Sequence, residues 1–562
     1  MSGPKVTSAP RTLDRVLTGF DTHEVTNQPP PLEDHDVFGS DVALVDAVAR
    51  NGGQWALDDL TTLGRLAGSP EAIEWGRQAN RNPPELRTHD RYGNRLDDVD
   101  YHPAYHQLMR TAVGHGLHAA PWADERDGAH VARAAKVLTW YQVDGGHICP
   151  ISMTYSAVPA LRHEPRLADV WEPRLASLDY DPANRPAGEK SGATCGMAMT
   201  EKQGGSDVRA NTTTATPADD GSYRLTGHKW FCSAPMCDVF LVLAQAPGGL
   251  TCFLVPRWRP DGTRNPVRIQ RLKDKLGDRS NASSEIELLD TFGERIGDEG
   301  RGVRTIIEMV NHTRLDCVLG ATAIHRQGVA QATWHAHHRA AFGATLDRQP
   351  LMANVLADLA IESEAATLSA IRLARAFDAP AGDEHEQLVK RLLTPIVKYW
   401  TCKRAPVHTA EALECLGGAG YVEESDLPRL FRQSPLNGVW EGSGNVICLD
   451  VLRAVGRAPE TLDAYWTEVD AAAGSDRRFD AAADALRKEL GDGDDIELRA
   501  RRLVEQMALL FQASQVLQHS PAPVADAFVA SRLGDDPRLA FGTLPTGLAL
   551  DEVIDRARPV PA

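Results

Sequence analysis

Aromatic residues are scarce in this chain, 6% of 562. A protein that grips sugars or unpaired bases by stacking would carry more. Positive charge is scarce as well: 60 Lys and Arg against 77 Asp and Glu leave a formal net charge of −17. Such a surface repels a phosphate backbone, so the chain as a whole is not built as a nucleic-acid binder. The nine cysteines are odd in number and form no Cys-x-x-Cys pair. That excludes a secreted disulfide scaffold and points to reduced thiols in a cytoplasm. No run of about 20 apolar residues is present, so nothing is expected to span a membrane. Met1 to Arg11 holds one Lys, one Arg and no apolar run, unlike a secretory signal. There is no G-x-G-x-x-G opening a βαβ unit and no G-x-x-x-x-G-K-[ST], so the two common nucleotide loops are absent. His335, His337 and His338 do not repeat a metal-ligand spacing and read as a solvated helix face; no metal is expected.

What is present is ample length and ordinary globular texture, 42% hydrophobic and 24% charged. At roughly 100–200 residues per domain the length predicts about three or four domains. Residues 1–40 are rich in Pro, Thr and Asp, with Pro29-Pro30-Pro31 incompatible with helix, and read as an extended surface arm. Residues 41–195 have helical spacing, broken near Asn82-Pro83-Pro84 and Asn94-Arg95. Residues 196–300 read as β-structure: Phe240–Ala244 is an apolar run, Glu285–Leu288 alternates, and glycines punctuate the runs. Residues 301–455 return to helix, with Leu315, Val318 and Leu319 on one face and a kink expected at Pro395. Residues 456–562 read as a separate helical unit behind a Gly456–Pro459 linker. Helices, then strands, then helices predict a multidomain α+β chain of segregated domains.

Four segments could carry chemistry. Met199-Thr200-Glu201-Lys202-Gln203-Gly204-Gly205-Ser206-Asp207 offers glycines for close backbone approach, with hydroxyls beside them. It is either a ligand loop or a polar turn. His228–Pro235 sets Trp230 and Phe231 near Ser233, as a ring platform and a hydroxyl or as core packing. Arg339–Gly343 with Gln349 could bind a nucleotide diphosphate, or be a helix end capped by Gly343. Leu416–Tyr421 is followed by Trp440-Glu441-Gly442-Ser443-Gly444-Asn445, with Ser443 or Asn445 as a helix cap. Glu441 lies between an aromatic and a glycine, and a carboxylate in an apolar pocket becomes a usable base near neutral pH.

In this order, and around this β-region, the segments resemble the acyl-CoA dehydrogenase superfamily. Its marks are M-T-E-x-x-x-G-S-D, R-x-x-F-G, L-G-G-x-G-Y and E-G-[ST]. The exact wording at 199–207, Leu276–Glu285 and 440–445, with Asn82–Leu86 and Asn27–Pro30, is similar to the alkylation-response, AidB-like branch. The resemblance spans about residues 22–455 and fades in the tail.

The resemblance implies an N-terminal helical domain, a middle antiparallel β-domain and a C-terminal helical bundle, here with an extra C-terminal helical domain. It implies FAD in a homotetramer. Met199, Thr200, Gly205, Ser206, Ser233 and Pro235 would line the flavin and its pyrophosphate. Arg339, Phe342 and Gln349 would hold the ADP half of a flavin bound across the subunit interface. Gly417, Gly418, Trp440, Gly442, Ser443 and Asn445 would complete the site. Glu441 would be the base for a short or branched acyl-CoA thioester, with an electron-transfer partner as a possible acceptor. Two departures stand out: Phe231 and Ser233 replace the family's Trp-x-Thr, and Arg432-Gln433 replaces Arg-Asp. The branch is also associated with duplex DNA through its C-terminal domain. Here residues 458–562 carry eleven Lys and Arg against nineteen Asp and Glu, which disfavours it. Arg477, Arg478, Arg499, Arg501 and Arg502 are the local cations that could still serve. A flavin enzyme of this fold with a non-CoA substrate is the remaining alternative.

Overall fold

The computed structural model describes residues 22–560, and the reading of residues 1–21 lies outside them. Helices α1 Val42–Val48, α2 Leu57–Ala67, α3 Pro70–Arg81, α4 Pro103–Gly114, α5 Ala120–Ala123, α6 Ala129–Tyr141, α7 Ile148–Leu161 and α8 Pro165–Leu175 come first. Their starts follow local chemistry. At α3, the Ser69 hydroxyl accepts from Ala72 N, Pro70 sits in the first turn and Glu71 complements the dipole. Among these helices lies a hairpin the helical texture did not announce, β1 Glu85–His89 and β2 Arg95–Asp100. Its turn is built by Asp90, whose carboxylate accepts from the amides of Tyr92 and Asn94.

The middle region holds β3 Cys195–Ala198, β4 Thr214–Pro217, β5 Tyr223–Ser233, β6 Val239–Ala246, β7 Gly249–Pro256, β8 Val267–Leu272 and β9 Ser283–Ile296. Strands β4, β5, β9, β7 and β6 form a ring, closed by a bridge from Thr214 to Gln245, with β8 on β9 and β3 on β6. Most pairs are antiparallel, as expected, but β3 and β4 run parallel to β6. Hairpins force antiparallel pairing, whereas β3 and β6 are separated by enough chain to return in the same direction.

Next come α9 Gly302–His338, a small hairpin of β10 Ala340–Ala341 and β11 Ala344–Thr345, α10 Pro350–Asp378, α11 Glu384–Cys415, α12 Gly418–Tyr421, α13 Leu427–Gln433 and α14 Gly444–Arg457. Helix α11 continues through both Pro395 and Pro406. The tail adds α15 Glu460–Asp470, α16 Arg477–Leu490, α17 Ile496–His519, α18 Ala522–Arg532 and α19 Leu550–Ala557.

The apolar side chains form two main cores. One holds the β-region with α7 and α8. The other runs without a break from Val37 through the bundle to Ile554. The tail is helical but does not stand apart. Arg532 of α18 is buried against Asp358 and Glu362 of α10, at 2.6 and 2.9 Å. Breaking such a pair leaves an uncompensated buried charge, at a cost of roughly 3–5 kcal/mol. Since α14 runs to Arg457, the expected linker shrinks to Ala458–Pro459. The arm is also more than surface: Leu32, Val37 and Phe38 are buried, and Pro30 O accepts from the Trp334 indole. No described helix is long and apolar enough to cross a membrane.

Candidate active site

Two cores meet at Trp440, which packs against both. The next residue, Glu441, has φ +56°, in the left-handed region, and Gly442 follows at +107°. A non-glycine residue there costs of order 1–3 kcal/mol and persists only where its surroundings hold it. They do so through two cations. The Lys398 ammonium, 1% exposed, donates to the carbonyls of Asn437, Trp440 and Gly442, each at 3.0 Å. The Arg314 guanidinium donates to the Glu441 carbonyl at 3.0 Å and pairs with Asp450 at 2.8 Å. Asp450 also takes Arg391.

The carboxylate of Glu441 accepts a 2.7 Å hydrogen bond from the Thr313 hydroxyl of α9. Burial pushes its pKa up, while that bond and the charges of Lys398 and Arg314 pull against the rise; the net direction is upward. A desolvated carboxylate with one neutral donor is suited to taking a proton. Facing the loop are Cys149 of α7, Ser233 at the end of β5, and the segment joining β8 to β9. The thiol of Cys149 feels Glu441, Lys275 and Asp278 and is hydrogen-bonded to Ser233; burial pushes it up to about 12. Behind Trp440, its indole donates to Asn437 Oδ1 at 2.9 Å, and the Asn437 amide reaches Tyr141 Oη.

The 199–207 segment folds back at its glycines. Glu201 is the buried partner of Lys229, at 2.8 Å, and also accepts from the amides of Thr212 and Thr213. That ion pair leaves Gly205 and Ser206 exposed at the loop tip, with Met199 and Thr200 half-buried beneath. A Cβ on Gly205 would lie 2.5 Å from Thr200 Oγ1, so a side chain there would displace the Thr200 hydroxyl. Pro235 is buried just past β5. Phe231 is 50% exposed, with the Lys273 ammonium 4.6 Å from its ring centre. Ser443 precedes α14 but makes no capping bond, and Asn445 instead accepts from Arg501 of the tail at 2.8 Å.

The other candidates lie elsewhere. Gly343 does not cap α9; Phe342 and Gly343, at φ +51° and +86°, form the two-residue turn of the β10–β11 hairpin. Phe342 is 100% exposed at its tip, Gln349 donates to Ala341 O, and Arg339 binds Asn27 O. From Thr313 to Arg339 is 26 residues of one helix, about 39 Å at 1.5 Å per residue. Helices α9 and α11 run side by side in the same direction, Cys402 against Cys317 and His408 against His325. Gly417 and Gly418, past the end of α11, therefore lie toward the hairpin end, far from Trp440. Gly417 has φ +60° and ψ −139°, a conformation open essentially to glycine alone, and a Cβ at either glycine would meet nothing. The structure thus divides the candidates into one group around Glu441 and one around the tip of the β10–β11 hairpin.

Thr313, Arg314, Lys398 and Cys149 were not legible as site residues, because each is distant in sequence from Glu441; Asn437, four residues away, lay outside the recognisable motif. The only sequence signal was a charged residue inside an apolar helical run, as at Arg314 and Lys398. His337 pairs with Asp347 and His338 bonds to Trp334 O. No cluster of three potential metal ligands occurs among the described residues.

Aligned with AidB of Escherichia coli (strain K12), the chain is 47% identical over 511 residues, 91% of this chain and 94% of that protein. The chain belongs to the acyl-CoA dehydrogenase family. Its AidB character extends to residues 27–182, which match the adaptive response protein AidB N-terminal domain. Residues 196–291 match the acyl-CoA dehydrogenase middle domain, and 300–456 match the family's C-terminal domain. Acyl-CoA dehydrogenase family member 11 of Caenorhabditis elegans is 30% identical over 515 residues, 84% of this chain and 81% of that protein. The crystal structure of the nematode ACDH-11 in complex with C11-CoA superposes with a TM-score of 0.84 at 27% identity, covering 95% of this chain and 96% of that one. Membership makes the chain a flavin-dependent oxidoreductase of the class acting on a CH–CH pair.

Proposed function

We propose that this family member dehydrogenates an acyl-CoA thioester with Glu441 as the base and FAD as the cofactor. The observation that carries it is the Glu441 carboxylate itself: strained into place by Lys398 and Arg314, desolvated, and hydrogen-bonded to Thr313. The residues present suit a flavin. The exposed tip at Gly205 and Ser206, the half-buried hydroxyls of Thr200 and Ser233 and the half-exposed ring of Phe231 supply donors and an aromatic surface on one side. Trp440, Gly442, Ser443 and Asn445 stand on the other. When bound, the flavin supplies the two-electron acceptor. Glu441 removes the proton next to the thioester carbonyl, and its backbone N–H helps to carry the charge that develops on that oxygen. Thr313 orients the carboxylate, and the two cores around Trp440 keep water out.

The hairpin group supports a wider reading. Arg339, Phe342 and Gln349, with Gly417 and Gly418, lie too far from Glu441 for one flavin to touch both in a single chain. A homotetramer in which each chain lends this end to a neighbour's flavin uses both groups. The nine cysteines, all buried free thiols, support a cytoplasmic setting.

The test is anaerobic titration of the purified flavoprotein with isovaleryl-CoA, other short thioesters, and the C11-CoA that the nematode relative holds. Bleaching of the flavin band, lost in Glu441→Gln with flavin retained, is expected. Bleaching by isovaleryl-CoA at lower concentration than C11-CoA supports the short or branched chain. An unchanged spectrum with every thioester overturns the dehydrogenase reading in favour of a non-CoA substrate. Duplex DNA binding finds less support. Arg478, Arg487 and Arg502 are each paired with a carboxylate of the tail itself, and Arg499 is tied to the 489–494 loop.

A further inference from the structure

The segment between β8 and β9 is wedged among three elements, so its side chains have little freedom. A Cβ on Gly277 would lie 2.4 Å from Arg432 O of α13, and one on Gly146 would lie 2.1 Å from Ser280 Oγ. Ser280 donates to Asp144 in the turn between α6 and α7. Inside this wedge sits Lys275, whose ammonium donates to Asn281 O at 2.5 Å and to Ser283 Oγ at 3.2 Å. Ser283 Oγ is in turn 3.4 Å from Ser233 Oγ.

The order of these contacts has a direction. An ammonium only donates, so Ser283 Oγ accepts from Lys275, and either hydroxyl can be the donor across the 3.4 Å contact between Ser283 and Ser233. With Ser283 as that donor, the Ser233 proton points onward, to Cys149 or to a ligand in front of it. Asp278 lies on the same segment, 1% exposed, with neither carboxylate oxygen hydrogen-bonded. A buried carboxylate without partners is costly. It persists here beside two cations, Lys275 and Arg429.

We propose that Lys275 is a positioning residue of the cofactor site: through Ser283 it orients the Ser233 hydroxyl and places a positive charge behind it, which Asp278 offsets. This rests on the reading that the flavin lies against Ser233. A cation behind a flavin favours the electron-rich reduced form, so Lys275 raises the reduction potential. Asp278 lowers it only when ionised. The groups facing Asp278 are Tyr141 of α6, Asp144 of the following turn, Cys149 of α7, Arg429 and Gln433 of α13, and Lys275 on its own segment. Burial and the charge of Asp144 push Asp278 up to about 7, against Lys275 and Arg429. Gln433, where the family pattern has Asp, spares this site a third carboxylate.

The experiment is dye-equilibrated measurement of the bound flavin's midpoint potential in the full-length protein, its Lys275→Met and Lys275→Arg variants, and Asp278→Asn. In Lys275→Met the reduced-to-oxidised ratio at a fixed potential should fall about tenfold, about 30 mV for a two-electron couple. Lys275→Arg should recover most of it. Asp278→Asn should raise the ratio at pH 8 and leave it unchanged at pH 6, where the native carboxyl already holds its proton. Flavin retained at an unchanged potential in Lys275→Met would overturn the proposal while leaving Glu441 and the dehydrogenase reading intact. Should Lys275→Met not fold, an Asp278→Asn potential identical to wild type at both pH values overturns it instead. A wild-type protein without flavin removes the functional reading and this inference together.

Discussion

The two ends of α9 differ in what they lack. Around Thr313 the charged groups are held inside the protein: Glu441 by Thr313, Arg314 by Asp450 and the Glu441 carbonyl, Lys398 by three backbone carbonyls. Around Arg339, 26 residues on, Phe342 is wholly exposed and Gly417 and Gly418 present bare backbone. The first end is a finished piece of machinery within one chain. The second leaves an aromatic ring and glycine backbone exposed at the surface. A residue's role therefore depends on which end it occupies more than on the motif it came from.

The sharpest way to break this comparison is at the enclosed end. Glu441→Gln should slow thioester-driven bleaching about 1000-fold, within the range expected for a lost general base, with the flavin band retained. Stopped-flow absorbance measures it, and a rate within threefold of wild type would remove Glu441 from the mechanism. Lys398→Met strips the donor from three carbonyls. A loss of roughly 3 kcal/mol in urea unfolding is expected, since each unsatisfied buried carbonyl costs about 1–3 kcal/mol. Unchanged stability would mean the loop does not depend on its clamp.

A third test uses pH. Asp278 is pushed up to about 7 in the folded protein, against an ordinary value of about 3.9. The folded state then binds the proton more tightly than the unfolded chain. Stability from this group is full below about pH 4 and is lost as pH rises through 7. Thermal unfolding of wild type should fall relative to Asp278→Asn over that window, by a few kcal/mol at most. Parallel pH profiles would show that Asp278 is ionised throughout.

The smallest effect on stability belongs to the exposed end. Phe342→Ser should change it by less than about 0.5 kcal/mol, as at other surface sites. On the proposed homotetramer, the same variant should lower the sedimenting mass toward monomer and weaken flavin affinity. A mass and affinity identical to wild type would leave the hairpin without a partner.

Much of this was legible in the chain itself. The order of helices, strands and helices follows from periodicity, and the Met199–Asp207 and Trp440–Asn445 segments mark the family. The β1–β2 hairpin was not legible. Its strands, Glu-Leu-Arg-Thr-His and Arg-Leu-Asp-Asp-Val-Asp, are polar, and they are held by contacts to β8 such as Ile269 N to Asp97. Glu201, inside the most recognisable motif, is a fully buried ion-pair partner of Lys229. Gly417 and Gly418 read as part of the Glu441 site until the common direction of α9 and α11 put them at the other end.

By itself the sequence determined the family, the segregation of helix from sheet, and Glu441 as the carboxylate to watch. Those properties are local: they reside in spacing and in short runs of residue types. The tertiary structure decided that the tail shares the bundle's core, that Thr313, Arg314 and Lys398 hold Glu441, and that Lys275 stands behind Ser233. These pairings join residues tens to more than a hundred positions apart. What selects them is the need of each buried charge for a partner brought near only by the packing of distant elements, and that need leaves no periodic trace along the chain.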